Sequence, residues 1–212
     1  MKCVICHSSP IELFVEINTK TYWKCHTCLG AYLDKEHFLS EADEYTHYCT
    51  HENNIDDPLY RAFLSRLIIP LKQRIQKHTN GLDYGCGPGP ALAAILQEEG
   101  YFMNKYDPYF FPDASLLDKK FDFITCSETA EHFSNPHREF SQFGEMLSPK
   151  GILGIMTSFI PSDEAFENWY YLRDPTHVVF YCETTFKTIA KQRRWIAEFP
   201  DKNIVLFTNT KI

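Results

Sequence analysis

A chain of 212 residues can bury a substantial core, and 44% apolar with 23% charged residues is ordinary globular usage, which excludes disordered, fibrous and collagen-like chains. The formal net charge of −7 gives no electrostatic footprint for nucleic acid, and residues 1–57, with four Lys or Arg against ten Asp or Glu, hold most of the acidity. The start has no apolar leader and no later run approaches the roughly 18 residues of a membrane span, so the expectation is a cytoplasmic protein whose eight cysteines are metal ligands or free thiols.

Cys3 and Cys6 are followed after eighteen residues by Cys25 and Cys28, the spacing of a four-cysteine zinc ribbon. Each CxxC forms a short knuckle, and strands over residues 11–17 and 21–23 form the hairpin that brings the knuckles together. Four thiolates then close a tetrahedral structural zinc site, with His7 and His26 flanking it as alternative ligands. His47, Cys49 and His51 read as a solvated loop, with a second metal site as the alternative. The ribbon accordingly occupies residues 1–50, a linking helix 51–80, and a larger domain 81–212.

In the linking helix Leu59, Phe63, Leu67, Leu71 and Ile75 recur four apart, and the pattern runs to about His78 with Pro70 kinking it. Residues 82–84 form a short strand that runs into Gly85, Cys86, Gly87, Pro88 and Gly89, and a helix opens at Pro90. Further strands are expected at 101–106, 121–126 and 152–156, with a helix at 139–147 between the last two. A helix at 184–192 and strands at 195–199 and 204–208 complete the chain. Strands alternating with helices make an α/β fold with a doubly wound, mostly parallel sheet.

A strand, three alternating glycines and a helix N-terminus form a ligand cradle, because glycine lets the backbone approach closely and the helix end offers unpaired N–H groups. The spacing is GxGxG, not the dinucleotide GxGxxG, and the absence of GK[ST] excludes a P-loop. Asp83 precedes the loop by two residues, and Asp107 ends the next strand, where a ribose diol would be held.

With these residues the sequence resembles the class I S-adenosylmethionine-dependent methyltransferases. Residues 82–89 (LDYGCGPG) resemble their first motif, Asp107 the ribose-binding acid, residues 121–132 (FDFITCSETAEH) the fourth-strand motif, and residues 147–153 (LSPKGIL) the turn into strand five. The resemblance covers about residues 58–212 and implies a Rossmann-like methyltransferase fold with S-adenosylmethionine as donor. By it, Asp83, Gly85, Cys86, Gly87, Gly89 and Ser127 contact the donor, Asp107 the ribose, and Pro108 and Tyr109 the adenine. Only thirteen residues separate Asp107 from Phe121, which leaves little room for the family's third strand or for Asp113 as an adenine-contacting acid.

Glu128, Glu131 and His132 follow the fourth strand and, on a helical turn, would share one face. This ExxEH is similar to the element that holds a divalent ion in quinone-ring O-methyltransferases and in small-RNA 3′-end 2′-O-methyltransferases, and His177 is the candidate for a distant fourth ligand. Such an ion would hold acceptor oxygens and assist O-methylation; without it, His132 or His177 is the candidate general base, with Glu128 beside them. Trp169, Tyr170 and Tyr171 read as a lid or sheet cover, and Arg173 as a clamp for an anionic group. The first functional expectation is therefore methyl transfer to a small molecule. RNA methylation is the alternative, weakened by the acidic ribbon. A third is a ribbon that docks a protein partner beside an idle cofactor domain. The layout is also similar in outline to zinc-bearing C-methyltransferases of nucleotide-linked sugars.

Overall fold

The computed structural model describes residues 2–50 and 53–211; His51 lies outside the described residues. The N-terminal hairpin pairs β1 (Ile11–Ile17) with β2 (Lys20–Cys25), and β3 (Ala31–Leu33) adds a third antiparallel strand. Helix α1 (Glu41–Tyr48) starts at Ser40, whose hydroxyl accepts the Asp43 amide, and α2 (Pro58–Lys72) starts at Asp57 with proline in its first turn.

Helix α2 differs from the sequence pattern in two respects. Its buried stripe is Leu64, Leu67, Ile68 and Leu71, whereas Leu59, which also fits a four-residue recurrence, is 80% exposed. The helix runs through Pro70 and ends at Lys72, and Ile75, beyond its end, still packs against the cluster that α2 forms with α3 and the sheet.

The larger sheet contains β4 (Asn80–Tyr84), β5 (Phe102–Tyr106), β6 (Phe121–Ser127), β7 (Leu147–Met156), β9 (Trp195–Asp201) and β10 (Ile204–Asn209). Its order is β5-β4-β6-β7-β10-β9, with β8 (Val179–Phe180) in the other sheet; β5, β4, β6 and β7 are parallel, and β10 and β9 close the edge antiparallel. The helices between strands are α3 (Ala91–Glu98), α4 (Pro136–Met146), the short α5 (Asp163–Phe166) and α6 (Glu183–Arg193). This is the doubly wound α/β arrangement expected. Between β5 and β6 the chain makes only a turn and a short 3₁₀ segment (Ala114–Asp118), so β5 is the sheet edge and the third strand is missing.

The N-terminal hairpin does not stand apart. Strand β3 pairs with β8, Ala31 opposite Phe180 and Tyr32 opposite Val179, so a four-stranded sheet β1-β2-β3-β8 joins the N-terminal hairpin to the segment after β7. The Thr185 hydroxyl donates to the Cys28 carbonyl at 2.9 Å and the Gln192 amide to the Cys6 carbonyl at 2.7 Å. Buried side chains continue from Ile5 and Tyr22 to Phe140, Phe186 and Phe207. Among the described residues no helix is long and apolar enough to cross a membrane.

Candidate active site

The carboxyl ends of β4, β5 and β6 open on one cavity of about 800 Å³, whose wall also takes Tyr170, Tyr171, Asp174 and His177 from the segment after β7. Gly85 (φ 71°) and Gly87 (φ 60°) take left-handed backbone after β4, and a Cβ on Gly85 would collide with the Thr129 side chain. Asp107, 7% exposed, accepts the Gly87 amide at 3.0 Å with one oxygen and the Tyr109 and Phe110 amides at 2.9 and 3.0 Å with the other. One carboxylate thus ties the loop after β4 to the loop after β5. Asp83, 3% exposed, accepts the Thr125 hydroxyl at 2.9 Å; burial pushes its carboxyl up to about 6 despite the Thr125 and Ala93 bonds that favour the charge.

Of the donor-binding residues expected from sequence, Asp83, Gly85, Cys86, Gly87, Asp107, Pro108 and Ser127 line the cavity, as does Tyr109. Gly89 does not; it lies beneath the Asn53 backbone. Asp113 caps its own turn through the Ser115 amide and is not part of the wall.

At the far end, Glu131, His132 and His177 bring donor atoms within 4.8 Å of one another. Tyr171 organises the group. Its carbonyl takes the Nδ1–H of His177 at 2.7 Å and its hydroxyl donates to Glu131. His132 Nδ1 donates to the Thr176 carbonyl at 3.1 Å. A carbonyl can only accept, so both Nδ1 atoms carry hydrogen and both Nε2 atoms keep a lone pair, suited to take a proton or bind a cation. Burial raises the Glu131 carboxyl, against His177 and Tyr171, and burial also lowers His177.

Glu128 stands apart from this trio. Its backbone is left-handed (φ 46°) and the following turn (Ala130–His132) is 3₁₀, so the expected shared helical face does not form. Its carboxylate faces the cavity 3.3 Å from the Tyr171 hydroxyl, and desolvation with neighbouring Glu131 pushes it up to about 8. Arg173 and Trp169 line an outer groove with Lys20 and Tyr22, whereas Tyr170 and Tyr171 line the cavity.

The sequence reading missed the remaining wall. Glu41, Glu44, Tyr48 and Asn53 cover the cavity from the N-terminal side, and Tyr60 enters from α2. The Tyr109 hydroxyl donates to Glu44 at 3.0 Å, Tyr48 to the other Glu44 oxygen at 2.7 Å, and His47 Nε2 lies 3.2 Å from Asp174. The available signal was the Ser40 cap followed by Glu41, Glu44 and Tyr48 at helical spacing. Burial raises the Asp174 carboxyl, but the Thr176 hydroxyl and amide, with His177 and His132, outweigh it and hold it at about 2.

Away from the cavity, the Sγ atoms of Cys3 and Cys28 are 3.8 Å apart and those of Cys6 and Cys25 3.6 Å, with all four thiols buried within 4.8 Å of one another. Zinc–sulfur bonds of about 2.3 Å at tetrahedral angles give edges of about 3.8 Å. The Ile5 and Thr27 amides donate to Cys3 and Cys25 Sγ, each at 3.4 Å, which favours thiolates.

A family model described as a methyltransferase domain matches residues 57–194. The chain belongs to this methyltransferase family. Solved structures with this fold include the PH0226 protein from Pyrococcus horikoshii OT3 (17% identity, TM-score 0.53, covering 78% of this methyltransferase and 99% of that chain). A SAM-dependent methyltransferase from Methanosarcina mazei shares it at 11% identity and TM-score 0.50, with coverages of 66% and 94%. So does a chain in the complex between the Haloferax volcanii Trm112 methyltransferase activator and a methyltransferase, at 9% identity, TM-score 0.50 and coverages of 76% and 100%. No curated protein matches this methyltransferase. Family and fold make it a methyltransferase with the Rossmann-like fold of these structures.

Proposed function

We propose that the enzyme methylates a small molecule held between the glycine loop and the Glu131–His132–His177 trio. The observation that carries this reading is the cavity: at about 800 Å³ it fits the size of a small-molecule site, with the glycine loop and Asp107 at one end and the His132 and His177 rings at the other. When bound, S-adenosylmethionine supplies an electrophilic methyl group on a sulfonium. Gly85, Cys86 and Gly87 offer backbone to its methionine part, Asp107 accepts from its ribose hydroxyls, and Pro108 and Tyr109 flank its adenine. Asp83 and Ser127 complete that end, and Gly89 acts indirectly, by seating Asn53. His132 or His177 takes the acceptor's proton at Nε2, while Tyr171 and Thr176 hold the two rings in the receptive tautomer.

One observation favours a second reading, in which Glu131, His132 and His177 hold a divalent ion that assists O-methylation: the three donors converge, and both imidazoles have carbonyl acceptors behind them. Such an ion would polarise an acceptor oxygen. Glu128 is not needed as a ligand. Screening labelled S-adenosylmethionine against small hydroxyl and amine compounds, with and without chelator, separates the two. Transfer that survives metal removal and falls at least a hundredfold in His132→Ala or His177→Ala supports the base reading, and transfer lost on chelation supports the ion.

The near-tetrahedral thiols support a structural zinc held by Cys3, Cys6, Cys25 and Cys28, as fits a protein kept in the reducing cytoplasm. The ribbon's protein-facing role is then internal, joining β3 to β8.

A further inference from the structure

The cavity of this enzyme has an ionic character that neither motif announces. Among the described residues its wall contains no lysine and no arginine; Arg173, the clamp for an anion expected from sequence, lies in the outer groove. The wall instead presents Glu41 and Glu44 from α1, with Glu44 bonded to both Tyr109 and Tyr48, and near the trio Glu128 and Glu131 from the turn after β6 and Asp174 from the segment after α5. The N-terminal acidity of the sequence is therefore in part a cavity wall and not only a solvated face. Aromatic rings stand among these acids: Tyr48, Tyr60 and Tyr170 all line the same space.

A second observation points to a ligand. Glu131 is 0% exposed, and its Oε2 has no hydrogen-bond partner among the described residues, although its Oε1 is taken by Tyr171. A buried carboxylate oxygen left unpaired costs free energy that a donor entering the cavity would recover. Acids with tyrosine faces, and no cationic side chain, disfavour phosphates and carboxylates and attract an ammonium group by charge and by cation–π contact, and an ammonium beside Glu128 and Glu131, whose carboxyls burial raises, draws them toward the charged form.

We propose that the acceptor is an amine, which enters as its ammonium ion and is recognised by these acids and tyrosines. The proposal rests on the methyl-transfer reading above. In the reaction the ammonium loses one proton to Nε2 of His132 or His177, and the freed nitrogen lone pair forms the N–CH₃ bond. The S–CH₃ bond breaks with its electron pair returning to sulfur, leaving S-adenosylhomocysteine and the methylated amine. A divalent ion in the trio would compete with the ammonium for Glu131.

The test is made with the full chain loaded with S-adenosylhomocysteine, whose uncharged sulfur removes the donor's sulfonium charge from the comparison. Choline, its uncharged isostere 3,3-dimethylbutan-1-ol and inorganic phosphate are titrated in turn in the presence of chelator, by calorimetry or ligand-observed NMR. The expected result is that choline binds about tenfold or more tightly than the isostere, loses that advantage in Glu41→Gln/Glu128→Gln, and that phosphate does not bind. Equal affinities, tighter phosphate binding, or no measurable choline binding at its solubility limit would overturn the proposal. Failure of S-adenosylhomocysteine itself to bind counts against the methyl-transfer reading instead.

Discussion

The carbonyl of Asn53 lies so close over Gly89 that a Cβ at that glycine would collide with it. The third glycine of the loop thus makes room for the strap that covers the cavity. Gly89→Ala should displace the strap and cost about 1–3 kcal/mol of stability, with weaker S-adenosylhomocysteine binding. Thermal unfolding with and without that ligand checks this; an unchanged midpoint and an unchanged ligand-induced shift would contradict it.

Tyr171 joins the two halves of the candidate trio, its hydroxyl to Glu131 and its carbonyl to His177. Tyr171→Phe removes the first bond and keeps the second, leaving Glu131 unpaired at both oxygens for a loss of about 1–3 kcal/mol. Glu131→Gln in the same background should restore part of it, so the double variant is less damaged than the sum of the singles. Additive losses in urea unfolding would show that the two groups do not share an interaction.

Asp83 should give the protein a pH signature. Its folded carboxyl sits near 6 because it is buried, whereas an unfolded carboxyl titrates near about 3.9. Between those values the native state binds more protons, so Asp83's contribution to stability falls as pH rises from about 4 to about 6 and then levels. Asp83→Asn should therefore be more stable than wild type by about 2–3 kcal/mol at pH 7 and equal to it below about pH 4. Denaturant titrations across that range read the difference, and a gap that does not open between the two pH values would sink the assignment.

Zinc removal should be felt beyond the hairpin, since β3 pairs with β8. Stripping the ion, or Cys25→Ser, should release amides of Val179 and Phe180 to hydrogen exchange along with those of residues 20–33. Elemental analysis should first find about one zinc per chain. Exchange confined to the hairpin would mean that the ribbon is energetically separate.

The loops after β4 and β5 were legible because their chemistry is local: Gly85, Gly87 and Asp107 act within a few residues of a strand end, and spacing encodes that directly. The missing third strand was legible too, from the short distance between Asp107 and Phe121. What spacing could not show was any contact made across the chain. Glu44 meets Tyr109, Asn53 meets Gly89 and Ala31 meets Phe180 only after folding. The Glu128 backbone turns left-handed where an i, i+3, i+4 reading assumes a helix, so Glu128 lies outside the cluster that Glu131, His132 and His177 form.

The central claim is that the methyl donor lies across the glycine loop with its ribose on Asp107. It is tested most directly by titrating S-adenosylhomocysteine into wild type and Asp107→Ala by calorimetry. Wild type should bind, and the variant should bind about tenfold or more weakly, because two ribose hydroxyls lose a charged acceptor and the Gly87 amide loses its tether. Equal affinity in the two proteins, or no binding to wild type, would contradict the account.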